Sequence, residues 1–261
     1  MNTSSPFYRV LVQSLEKRNL SLDDICPAND LVARRVLADY GSMFVSSEEV
    51  IPPPFCVFAD EDEVARFQEQ AGHTSATIGD AQIELQPAAM RALLSARERA
   101  RMEALEITPR DGAEAARRSY ADTRRLWDTR FLPGLDHWTT QGRLSHEQAD
   151  WLRSLPIQRQ VAEVLELEKS GIFFSKDLSK SILYSIAAPG TSQHIAMVAF
   201  DANEFQEARV REILAFHGWF QTVLSDRPHF TYLGLEESEL SQRGLKSAEV
   251  DGQKFWIPDL G

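Results

Sequence analysis

Two short stretches hold the residues best suited to chemistry. The first is Ser192-Gln193-His194-Ile195-Ala196-Met197-Val198-Ala199-Phe200-Asp201, preceded by Pro189-Gly190. The second is Asp226-Arg227-Pro228-His229-Phe230-Thr231-Tyr232. Together they offer two imidazoles and a carboxylate, His194, His229 and Asp201, and a second carboxylate, Asp226, three residues before His229. Three side-chain ligands with one open position are what a catalytic zinc site requires.

Spacing then constrains the backbone. As one ideal strand, His194 and Asp201 would stand about 23 Å apart. As one helix they would stand about 10 Å apart along the axis. A shared ion therefore requires the chain to turn between them. His194 is expected on a loop, with Ala199-Phe200-Asp201 entering a strand. Phe230-Thr231-Tyr232-Leu233 reads as a further strand running on from His229.

The pattern Ser-x-His-x-x-Gly-x-Ala-x-Asp followed by Glu-x-x-His belongs to the zinc D-alanyl-D-alanine carboxypeptidases and dipeptidases of peptidoglycan stem peptides. This chain resembles that family at Ser192, His194, Ala199 and Asp201, and again at His229, over residues ~75–261, with boundaries good to a few residues. Two positions depart from it: Met197 stands where the pattern has Gly, and Asp226 where it has Glu. The shorter Asp loses one methylene of reach, roughly 1.5 Å. The resemblance implies Zn2+ on His194, Asp201 and His229, with Asp226 as general base. It also implies an arginine that receives the substrate's terminal carboxylate through a two-bond fork. Arg110 fits by position after a helix and short strand, and Arg118 fits by its Arg118-Ser119-Tyr120 setting. Ser192 is expected to touch substrate or to shape the loop. The implied partner is a peptidoglycan stem peptide or another peptide ending in D-Ala-D-Ala. A peptidoglycan endopeptidase and a non-catalytic cell-wall peptide-binding protein are the alternatives.

Composition bounds the rest. The chain has 261 residues, 43% hydrophobic and 26% charged, which is ordinary for a folded protein able to bury a large core. A net charge of −11 argues against nucleic acid, whose phosphates call for clustered cations. No apolar run approaches a membrane span. Met1-Asn2-Thr3-Ser4-Ser5-Pro6 lacks the basic start and apolar run of a secretory signal, whereas enzymes of the family commonly work outside the cytoplasm; the compartment stays open. Cys26 and Cys56 are the only cysteines. They could pair in an oxidising compartment or sit apart as buried thiols.

The elements that must position these residues suggest an α+β fold. A small antiparallel sheet is expected to carry the zinc site with helices packed on it. Residues 1–75 read as a helical N-terminal extension and 76–261 as the peptidase domain. Leu31, Val32, Val36, Leu37 and Tyr40 recur at helical spacing, and Asn29 or Asp30 can cap the start. A helix is expected from Pro87 to about Leu105, where Pro suits the first turn. Short strands are expected at Phe55–Phe58, Ile83–Gln86, Ile107–Arg110 and Thr222–Leu224, and around Phe173–Ile186. Trp138, Trp151 and Leu152 read as packing residues. His217, before Gly218, reads as a helix-terminal histidine. Other peptidase signatures are missing: Ser14-Leu15-Glu16-Lys17 has Ser-x-x-Lys spacing without any Lys-Thr-Gly, and there is no His-Glu-x-x-His.

Overall fold

The structure, a computed structural model, describes residues 4–261. Helices dominate, and among the described residues small antiparallel sheets complete an α+β fold. The chain groups into two compact units. The first takes in the chain through Cys56, then Ala65–Arg118 and Gln193–Gly261; the second takes in Val57–Val64 and Ser119–Ser192.

The first unit begins with α1 (Pro6–Glu16), α2 (Leu22–Ile25) and α3 (Leu31–Tyr40). Ser5 caps α1 and Pro6 fills its first turn, so Phe7, Leu11 and Leu15 fall on one buried face. Asp30 accepts from the Ala33 amide at 2.9 Å to cap α3, whose Val32, Ala33, Val36, Leu37 and Tyr40 are buried. After α4 (Glu61–Ala71), β1 (Thr74–Ile78) and β2 (Ala81–Leu85) form a hairpin, and α5 (Pro87–Met102) follows.

The units do not divide at residue 75. The early helices pack into the unit that carries the histidines: the Phe7 amide donates to the Asp259 carbonyl at 3.1 Å, and Ser42 Oγ donates to the Trp256 carbonyl at 3.2 Å. Their apolar faces have the C-terminal strands to cover, so they are no appendage.

The second unit contains α6 (Tyr120–Thr140), α7 (His146–Ser154) and α8 (Ile157–Glu168). Ser119 and Asp122 form a reciprocal capping box at the start of α6. Trp127, Phe131 and Phe174 stack in series, with centroids 6.3 and 6.1 Å apart. The Trp127 indole donates to Gln160 Oε1 at 2.9 Å. Leu152 is buried, but Trp151 is 45% exposed and does not serve as core.

Back in the first unit lie β3 (Ala199–Asp201), α9 (Ala208–Phe216), β4 (Trp219–Phe220) and β5 (His229–Tyr232). The last sheet pairs β6 (Leu245–Val250) with β7 (Gln253–Pro258) through Asp251-Gly252, both at positive φ, as a tight hairpin turn demands. The site sheet has the order β3-β5-β4, all antiparallel.

Several expected strands are absent. Phe55–Phe58 is irregular, and Ile107–Arg110 contributes a lone bridge, Pro109 to Ala202, since Pro lacks the amide that would extend a ladder. Residues 173–186 form turns and a 3-10 turn at Ile182–Tyr184. There Ser175 Oγ accepts from the Ser179 and Lys180 amides at 3.2 and 3.0 Å, a local alternative to strand pairing. The strand expected at Thr222–Leu224 is instead Trp219–Phe220. Helix α5 stops at Met102, and Ala104 lies left-handed at φ 57° just beyond. His217 does end α9.

Gly134 in α6 faces Phe174, and an added Cβ would drive into that ring. Gly134→Ala should therefore destabilise the protein by about 1–3 kcal/mol in denaturant unfolding, although alanine is the better helix former. A stabilised variant would show that the Phe174 ring is not held there.

Candidate metal centre

Register brings the candidate ligands together. In the β3–β5 pair Asp201 lies directly opposite His229, so both side chains leave the same face of the sheet. His194 arrives from the turn before β3. That turn closes through the Ala196 amide to Gln193 O and the Met197 amide to His194 O, each at 3.1 Å. Met197 sits at φ +56°, the left-handed backbone for which Gly is the ordinary residue. The site thus keeps the backbone bend with a side chain that resists it, and that side chain is fully buried.

His194, Asp201 and His229 are all buried and form a group able to hold a metal ion. His194 Nε2 lies 3.1 Å from His229 Nδ1, His229 Nδ1 lies 3.1 Å from Asp201 Oδ1, and His194 Nε2 lies 3.3 Å from Asp201 Oδ1. These contacts form one small triangle of three atoms.

The partners on the far sides fix where the hydrogens are. His194 Nδ1 is 2.7 Å from the Ala116 carbonyl, which can only accept, so the hydrogen is on Nδ1. The Gln193 amide nitrogen donates to the Tyr40 carbonyl at 2.9 Å, which turns Gln193 Oε1 toward His229 Nε2 at 2.7 Å. That nitrogen must be a donor too. Thr231 Oγ1 also donates to Gln193 Oε1 and lies 2.7 Å from Thr222 Oγ1. With both rings neutral, His194 and His229 therefore aim bare lone pairs at each other and at a carboxylate oxygen. Such a triangle is repulsive unless a cation lies among the three atoms.

A proton is a poor candidate for that cation at His194. Burial first, and then the Arg118 charge, pull its pKa down to about 4, against the raising effect of Asp201. Burial alone would raise Asp201, but the positive charge and N–H that His194 and His229 present to it when protonated hold it well below the usual carboxylate range. Arg118 Nη2 donates to Asp201 Oδ2 at 2.8 Å, and Arg118 Nε donates to the Glu114 carbonyl at 2.9 Å. The carboxylate is thereby oriented with Oδ1 toward the histidines.

Asp226 is solvent-exposed at its surface, yet enough protein surrounds it to raise its carboxyl pKa. Burial is the leading cause and the Asp201 charge the next, opposed by His229, Arg118 and Arg110. The backbone ties it to the site, since the His229 amide donates to the Asp226 carbonyl at 3.2 Å. The Arg110 amide donates to the Asp201 carbonyl at 2.8 Å, while its half-exposed guanidinium lies over the Phe205 ring, 5.7 Å from the centroid, and 3.8 Å from Asp111. Ser192 is buried and belongs to the second unit.

Sequence reasoning passed over Gln193 and did not place Arg118 on Asp201. An amide directly beside a candidate ligand histidine was a usable signal for the first. The Ala116 and Tyr40 carbonyls have none, because every residue carries that group. No protein-family model matches the chain, and no curated protein matches it.

Two measurements follow. Gln193→Met should weaken metal affinity about 10–100-fold in a chelator competition, because His229 loses the acceptor that fixes its tautomer. Unchanged affinity would show that Gln193 does not orient the ring. Met197→Ala should cost about 2–4 kcal/mol of stability, and Met197→Gly no more than that despite its smaller size, because glycine relieves the left-handed backbone. A glycine variant clearly less stable than the alanine one would mean that residue 197 stores no strain.

Proposed function

We propose that the chain is a zinc-dependent D-alanyl-D-alanine carboxypeptidase, removing the terminal D-Ala of peptidoglycan-type peptides. The observation that carries this is the triangle of two imidazole nitrogens and one carboxylate oxygen, with Asp226 three residues before one ligand. Zinc holds nitrogen and oxygen ligands at about 2.0–2.2 Å in a tetrahedron, which puts neighbouring ligands about 3.3 Å apart. The edges of 3.1, 3.1 and 3.3 Å fit that spacing. Three protein ligands leave the fourth position for water or substrate, as catalytic rather than structural zinc sites do. The resemblance of the two motifs to the carboxypeptidase family supplies the substrate class.

When bound, the ion supplies Lewis acidity, acidifying a water and polarising the scissile carbonyl. The residues of the chain do the rest. Asp226 takes a proton from the attacking water and returns one to the leaving amine. The same carboxylate could not be both ligand and base, and Arg118 separates the roles by binding Asp201 from behind. Arg118 has two of its nitrogens engaged, on Asp201 and Glu114. Arg110 is the more available anchor for a substrate carboxylate, since its guanidinium is half-exposed and its charge reaches Asp226. A free carboxylate held there restricts cleavage to the bond one residue from the C-terminus.

Asp226→Asn should leave zinc near one equivalent and lower kcat by about 10²–10⁴-fold. Unchanged turnover would remove Asp226 from the role of base. A base works ionised, and the Asp226 pKa is raised, so kcat/KM should fall on acidification and begin to fall at higher pH than an ordinary aspartate would dictate. An acid limb that survives unaltered in Asp226→Asn would assign it to another group.

A further inference from the structure

Lys17, Arg18 and Arg243 take no part in the zinc chemistry, and they line one cavity of about 580 Å³. Val10, Gln13 and Ser14 of α1 and its cap residue Lys17 recur at helical spacing and supply one wall. The segment after α3 adds apolar surface through Val50, Ile51 and Pro52. Arg243, just before β6, completes the lining. The segment after α3 is fixed in place: Ile51 exchanges bonds of 3.0 and 2.8 Å with the Gln86 amide group, and the Ser47 amide donates to the Leu233 carbonyl at 2.8 Å. A preformed cavity of this size, with apolar surface and a few polar groups, has the character of a small-molecule site.

Charge narrows the class of molecule. The chain has a net charge of −11, so acids are in excess, and Arg209, for one, reaches Glu103 and Glu212 at 2.6 and 2.8 Å. Among the described residues, no ion pair or side-chain hydrogen bond engages Lys17, Arg18 or Arg243, and Arg243 is half-buried. Glu48 is the one acid on the lining; it is exposed and pairs with none of them. Three cations against one carboxylate leave a positive surplus around a partly apolar space.

We propose that this cavity binds a small amphipathic oxyanion, an apolar body carrying a carboxylate or a phosphate. Val50, Ile51 and Pro52 cover the body, and Lys17, Arg18 and Arg243 bond the head. A guanidinium fork takes either head through two parallel bonds, so carboxylate and phosphate share this chemistry.

The test titrates the full chain in a calorimeter with octanoate and with octyl phosphate, alongside octanol, octyltrimethylammonium and inorganic phosphate. At least one octyl anion should bind at a single saturable site, and the tighter of the two identifies the head. The three comparison compounds should bind about 10-fold more weakly or not at all. Arg18→Met combined with Arg243→Met keeps apolar stems and should lower affinity by about 10–100-fold. It should leave the Tm of the free protein unchanged, since neither cation has an acid partner to lose. Ile51→Glu, at an exposed position, should also lower affinity by setting a second acid on the lining. Failure of both octyl anions to bind, binding of octanol or inorganic phosphate as tight as theirs, or affinity unchanged in both variants would each overturn the proposal. None of these readouts depends on zinc or hydrolysis, so failure of the proposed function would leave this test standing.

Discussion

Three lone pairs face one another at His194 Nε2, His229 Nδ1 and Asp201 Oδ1, and everything nearby is arranged to keep them there. With both imidazoles neutral they would repel, and a positive charge among the three atoms would relieve that repulsion. The structure nonetheless fixes each from behind. The Ala116 carbonyl holds His194, Gln193 holds His229, and Arg118 holds Asp201. These partners set which atom of each residue faces inward, which leaves three atoms placed so that they could hold a metal ion.

The scaffold contributes by bringing distant stretches of chain to one point. The register of β3 against β5 sets Asp201 opposite His229, and the bend at Met197 returns His194 to the same place. Tyr40, at the end of α3, reaches the site through its carbonyl and Gln193. The early helices are therefore part of the support of the site, which explains why they pack into the same unit as the C-terminal strands. Buried hydroxyls of Thr222 and Thr231 complete the network, so that Gln193 has partners for both ends of its amide.

The grouping of His194, Asp201 and His229 was legible through the two motifs that resemble the carboxypeptidase family; spacing added that a shared ion would require a turn between His194 and Asp201. The α+β class, the Asp30 cap of α3 and the Pro87 start of α5 were legible as well, since capping residues and apolar periodicity act locally. The short strands were harder. Phe173–Ile186 has the apolar content of a strand, but its Ser175 and Asp177 side chains satisfy the backbone in place. The domain boundary at residue 75 followed the reach of the family resemblance and the helical character of the residues before it, whereas the early helices pack against the C-terminal strands. The partners of the ligands were least legible: backbone carbonyls leave no trace in a sequence. Arg118 looked like a surface or substrate-binding cation until the fold placed it on Asp201.

The account stands or falls on metal-dependent hydrolysis. The most direct measurement is D-alanine release from a peptide ending in D-Ala-D-Ala, with zinc content determined on the same sample, before and after chelation. The account predicts about one zinc per chain, release that stops on chelation and returns with added zinc. Failure to take up zinc, even on reconstitution, or release indifferent to chelation, would contradict it and leave the two histidines a structural role.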